Sequence, residues 1–199
     1  VKTKTGAYLI GSAFFALSAQ AGAAEIKFAA VPSYTVIYDV RGAETGTITL
    51  HSRKYDTEQV QILALTKNGK TSNTRVVTKN EKIFVHSAGL PVREALNEGY
   101  AKLVKAASGK AGNTIPKAMM QSLGFVPTGA QETHAKESCR VWESKTLKQK
   151  RCVTEDGIAI KVQINVGGKD MIQTARSIAR GNSGPDSAYQ VAAAKPATP

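Results

Sequence analysis

Few residues in this chain have the type and spacing to do chemistry. The three histidines, His51, His86 and His134, fall in separate segments. None has the His-x-x-x-His spacing that sets two imidazoles on one helical face for zinc. His134 lies between Glu132 and Glu137, a trio that reads as a solvated strand end. The Gly-x-Ser-x-Gly elbow of serine hydrolases is absent. Ser108-Gly109-Lys110-Ala111-Gly112 is glycine-rich, but it lacks phosphate-loop spacing and follows a helical rather than a strand pattern. Glu155 and Asp156 are adjacent, so on a strand they would point apart and in a turn they would cap backbone amides. No catalytic residue, metal site or cofactor is assigned, and the chain reads as a non-enzyme.

The two cysteines, Cys139 and Cys152, are the remaining reactive groups. An even number of residues separates them, centred on Lys145 and Thr146. With Arg140–Glu143 and Lys148–Arg151 as hairpin arms, they fall opposite each other, close enough for a disulfide. Without a Cys-x-x-Cys, an even count points to a structural bridge formed in an oxidising compartment. Trp142, the only tryptophan, sits inside this hairpin and reads as a large packing residue.

The N-terminus supports that compartment. Lys2 and Lys4 precede the apolar run Ala7–Leu17, and Ser18–Ala24 are small residues, the pattern of a signal peptide over 1–24 cleaved near Ala23. The apolar run is shorter than the ~20 residues of a membrane-spanning helix. No cysteine follows it to carry a lipid anchor. The expectation is an exported, periplasmic protein, and Val1 would suit a GTG start.

The net charge of +12 stays strongly positive once Lys2 and Lys4 are removed. It favours an anionic membrane surface, lipopolysaccharide phosphates or an acidic protein as partner. Nucleic acid is disfavoured, because the basic residues are scattered and lack interleaved aromatic platforms.

Period-two alternation supplies the elements around these residues. Tyr34–Arg41, Thr47–Ser52, Gln59–Thr66, Asn73–Lys79 and Lys82–Ser87 read as a meander, with a type I′ turn at Asn68-Gly69. The period then changes. Val92–Ala107 places Leu96, Tyr100, Leu103, Val104 and Ala107 on one helical stripe, and Thr114–Leu123 reads as a second helix with Pro116 in its first turn. Strands resume at Phe125–Lys136, the two cysteine arms, Ile158–Val166 and Met171–Arg180. The last, with Arg176 sharing the face of Ile172 and Ile178, reads as an edge. Residues 181–199 are rich in Gly, Ser, Ala and Pro and read as a flexible tail, with Tyr189-Gln190-Val191 the part suited to docking.

Strands, two inserted helices, then strands again make an α+β chain with one domain over 25–180 and a helical insert at 92–123. About nine or ten antiparallel strands with one apolar face should twist into a strongly curved half-barrel, its concave face covered by the helices. The pattern Cys139-x-Val-Trp142, Arg-Cys152-Val-Thr, Asp156-Gly157-Ile, with the leader and the methionine-bearing insert, resembles exported bacterial proteins. These are similar in layout to the LolA/LppX-like periplasmic lipoprotein-carrier and lipid-binding fold. That resemblance implies a hydrophobic cavity between sheet and helices that receives acyl chains.

The function expected is therefore non-enzymatic binding or carriage of a lipid, an acylated protein or a similar ligand by a monomer. Candidate lining residues are Leu96, Tyr100, Leu103, Met119, Met120, Leu123, Ile160, Val162 and Ile164. The alternative is a cell-envelope structural or interaction protein with a filled core and no ligand cavity.

Overall fold

The computed structural model describes residues 26–110 and 114–191. The expected leader and its cleavage point near Ala23 lie outside the described residues. Alternating apolar residues and tight turns generate two meanders. The first is β1 (Tyr34–Gly42), β2 (Thr45–Arg53), β3 (Glu58–Lys67), β4 (Lys70–Lys79), β5 (Lys82–Ser87) and β6 (Arg93–Leu96). Two helices follow, α1 (Tyr100–Ala107) and α2 (Thr114–Ser122). The second meander is β7 (Val126–His134), β8 (Glu137–Ser144), β9 (Gln149–Val153), β10 (Ala159–Val166) and β11 (Lys169–Arg180).

All eleven strands form one antiparallel sheet in the order β6-β5-β4-β3-β2-β1-β11-β10-β9-β8-β7. The first and last strands pair at its centre and join the meanders. Asn68 and Gly69 both take positive φ, as the type I′ turn requires.

The register defines two faces in the first meander. On one, Tyr34, Val36, Tyr38 and Val40 align with Ile48, Leu50, Leu63 and Leu65. These residues belong to the main core, which also contains Cys139, Val141, Cys152, Ile158, Ile160 and Ala175. The N-terminal segment contributes Ala29 and Val31 to it. That segment is held by backbone bonds from Phe28 and Ala29 to the Tyr55 carbonyl and from Ala30 to the Asp156 carbonyl. On the opposite face, Val60 and Val77 pack against Ala188 and Tyr189 of a 3-10 turn at Asp186–Tyr189. The Arg53 guanidinium lies 3.8 Å from the Tyr189 ring centre and pairs with both Glu58 and Asp186.

Several expectations are corrected. The sheet is not a half-barrel of nine or ten strands. It is an open ladder of eleven that ends at the edges β6 and β7 and is not closed between them. The helices do not cover a concave face, because the inward side chains of both meanders fill that face themselves. α1 and α2 instead pack on each other, on Phe28 and Ile26, and on the Trp142–Val153 end of the sheet.

The helix expected over Val92–Ala107 begins only at Tyr100. Arg93–Leu96 pairs with the otherwise free edge of β5, and the Asn97 amide caps this with a bond to the Glu81 carbonyl. Leu96 consequently stands 70% exposed on an edge strand. β11 is central, not an edge. Its β-bulge at Arg176 shifts the register, so Ala175 and Ile178 sit opposite Tyr38 and Val36 while Arg176 turns out to Asp39.

The disulfide is present, with the Cys139 and Cys152 Cα atoms 5.3 Å apart. Its register differs from the expected one. Cys152 faces Val141, so the cysteines are diagonal neighbours rather than an opposed pair. The cause is the turn Lys145–Lys148, where Lys148 takes φ +50° and the Lys148 amide donates to the Lys145 carbonyl. That centres the hairpin between Thr146 and Leu147.

Candidate functional site

A cleft of about 320 Å³ opens between α2 and the β7–β9 end of the sheet. Pro116, Lys117 and Met120 line it from α2, and Gln131 from β7. Ser138, Arg140 and Trp142 come from β8, and Val153, Thr154 and Glu155 from the end of β9 and the turn after it. The floor is apolar, with Met120, Trp142 and Val153 all buried. Lys117 and Arg140 stand exposed at the rim.

Local sequence explains the shape. α2 stops at Gly124, which takes φ +77°, and the Phe125 amide bonds back to the Met120 carbonyl. Phe125 is thereby driven into a cluster with Met120, Trp142 and Val153. Pro116 packs over Gly157, where a Cβ would lie 2.8 Å from the proline Cγ and the backbone holds φ +98°. Only glycine lets the helix approach the β9–β10 turn so closely. The β7–β8 ladder breaks between Pro127 and Gln131, where Thr128–Ala130 stand against Val141 alone. Pro127 brings no amide hydrogen to the ladder, and the Thr128 hydroxyl donates to the Val141 carbonyl instead. This irregular edge forms one lip of the cleft.

Buried charge lies behind the floor. Arg151 faces Trp142 across the β8–β9 ladder, and its guanidinium sits 5.0 Å from the Phe125 ring centre. Burial lowers its pKa, opposed by the charges of Tyr38 and Asp56. Its Nε is buried without a hydrogen-bond partner. The Asp56 carboxylate accepts bonds from the Tyr34 hydroxyl at 2.8 Å and the Ser52 hydroxyl at 2.6 Å. Burial raises its pKa despite these bonds.

In an adjoining pocket that shares Ser138, Thr154 and Glu155 with the cleft, Arg180 bridges Glu137 and Asp156. Burial works to raise the Asp156 pKa, but the Arg180 and Thr154 hydrogen bonds outweigh it and hold it low. Glu132 is also held low, by Lys161 and then His134. Among the described residues no group of three His, Cys, Asp or Glu is placed to hold a metal ion.

The nine residues expected to line a cavity are spread over the molecule. Tyr100, Leu103 and Met119 pack with Phe28, Ala107 and Ile115. Met120 and Leu123 pack with Phe125 and Trp142. Ile160 is fully buried in the main core, Val162 and Ile164 are half-buried on β10, and Leu96 is on the sheet edge. Only Met120 of the nine lines the cleft. Sequence reasoning missed Pro116, Lys117, Arg140 and Val153. The signal was there in part: Trp142 and Arg140 alternate on one strand, and Pro116 and Met120 are one helical turn apart.

No family model matches the chain, and no curated protein does. Among solved structures, 36 chains match. MucB is similar at 9% identity and a TM-score of 0.36, over 85% of this chain and 60% of MucB, so the chain spans only that share of MucB's length. The Mycobacterium tuberculosis lipoprotein LppX is similar at 13% identity and a TM-score of 0.35, over 73% of this chain and 85% of LppX. A DUF1329 family protein from Desulfovibrio piger is similar at 10% identity and a TM-score of 0.32, over 82% of this chain and 91% of that one. Likeness at this level leaves the function to be argued from the chain's own residues.

Proposed function

We propose that this chain is a non-catalytic binding protein of the cell envelope whose ligand is a single-chain acidic amphiphile. Its acyl chain lies on Met120, Trp142 and Val153, and its head group meets Lys117 and Arg140. The cleft between α2 and β8 carries this reading, because it joins an apolar floor to a rim on which Lys117 and Arg140 outnumber Glu155. Its volume, about 320 Å³, lies at the lower end of the ~300–1,000 Å³ typical of small-molecule sites. That size favours one modest acyl chain over a multiply acylated lipid. The disulfide supports an oxidising, exported setting.

Titration with dansyl-undecanoate, a fluorescent fatty acid, tests it. The native chain should bind the probe, and reversing the rim with Lys117→Glu and Arg140→Glu together should weaken binding about tenfold, or ~1.4 kcal/mol. The uncharged methyl ester of the probe should be affected much less. No binding by the native chain would contradict the proposal.

The second reading, an envelope interaction module with a filled core, draws on the burial of Ile160 and the close packing around α1. It expects a bare mass in a native mass spectrum of protein taken from its own periplasm. The binding reading expects a co-purifying acyl ligand.

A further inference from the structure

α2 has a second side, facing away from the cleft. There, a shallow groove of about 450 Å³ runs between the two helices, lined by Lys102, Lys105, Ala106, Lys110, Ala118 and Gln121 among others. From Gly99 to Gln131 the chain contains no Asp or Glu. Elsewhere, Lys54, Lys67, Lys82, Lys150 and Lys161 each reach a carboxylate, whereas the exposed and scattered Lys70, Lys145 and Lys169 form no ion pair among the described residues. Lys102, Lys105 and Lys110 are exposed and form no ion pair among the described residues. Lys102 and Lys105 are three apart and share a helical face. Ala106, Ala118 and Ser122 add only small side chains to the lining, so the long lysine side chains dominate this surface.

We propose that this helical face docks the protein on a bilayer surface carrying anionic phospholipid. A protein partner is the weaker fit, since specific interfaces use apolar or aromatic anchors at their centre and are depleted in lysine. This groove offers three lysines and small residues. A fluid, uniformly negative surface needs no shaped anchor, and each lysine near it strengthens attachment about fivefold. The docking face and the cleft lie on opposite sides of the same helix, so attachment would leave the cleft facing away from the membrane. The inference goes beyond the binding reading and is tested apart from it.

The test is co-sedimentation of the full chain with phosphatidylcholine vesicles, with and without phosphatidylglycerol. The native chain should favour the anionic vesicles at least tenfold, and lose that preference in high salt. The variant K102Q/K105Q/K110Q should lose most of it. The control K70Q/K145Q/K169Q removes the same charge from exposed positions at hairpin ends and should keep it. Far-ultraviolet circular dichroism confirms that each variant is folded, and dansyl-undecanoate titration of the helix variant reads the cleft separately. Equal binding to neutral vesicles, or equal loss in both variants, would overturn the proposal. So would capture of an acidic protein without vesicle binding.

Discussion

Asp56 and Asp156 are two enclosed carboxylates that their surroundings treat in opposite ways. Asp156 is held low by Arg180, so its contribution to stability is present above the unfolded carboxylate range and is lost as pH falls through its folded pKa. Asp156→Asn should therefore destabilise the protein at neutral pH by about 1 kcal/mol, discounted because Arg180 is part-exposed, and the deficit should vanish in acid. Asp56 has a raised pKa, so the folded state resists its ionisation. Asp56→Asn keeps an acceptor for Tyr34 and Ser52, and asparagine tolerates its φ of +71°. That variant should melt higher than the native chain at neutral pH, with the gap closing as pH falls. Thermal melts of both variants across pH check the pair. Neither contrast was legible in the sequence, because burial and the long-range partners decide it, not the near neighbours Ser52 and Thr154. Asp156 meets Arg180 across 24 residues and Asp56 meets Tyr34 across 22.

At the level of elements, what was legible followed from local rules. The alternation Tyr34, Val36, Tyr38, Val40 and the Asn68-Gly69 turn placed β1 and the β3–β4 hairpin correctly. Failures came where a non-local partner decided the outcome. Arg93–Leu96 belongs to a stretch with helical periodicity, yet the unpaired edge of β5 drew it into β6. Arg176 marred the alternation of β11 because it is the bulged residue, and that bulge makes the strand fit the centre. The cysteine hairpin lies two residues out of the expected register because the Lys145–Lys148 turn needs a left-handed residue that sequence did not reveal. Two predictions belong here. Replacing both cysteines by serine opens a short loop and should cost roughly 3 kcal/mol in urea denaturation. Gly157→Ala would drive a methyl group into Pro116 at an unfavourable φ, costing roughly 1–3 kcal/mol. Because that contact sets the approach of α2, it should also alter probe binding in the cleft.

Across the whole molecule, the two faces of the first meander are covered by different parts of the chain. The N-terminal segment and the second meander fill one, and the segment after β11 covers part of the other. Tyr189 is 1% exposed there, and its pKa is pushed up to about 12, chiefly by burial. Tyr189→Ala should lower stability by about 3 kcal/mol, read by thermal melting, because it empties a site built on Val60 and Val77. The α2 cleft has a buried apolar floor, and that floor contains the only tryptophan in the chain. Intrinsic fluorescence of Trp142 is thus the most direct reporter of occupancy. A brominated fatty acid titrated into the native chain should quench it saturably, and unbrominated laurate should reverse the quenching by competition. Quenching that rises linearly without saturation, or that laurate fails to reverse, would contradict binding in the cleft.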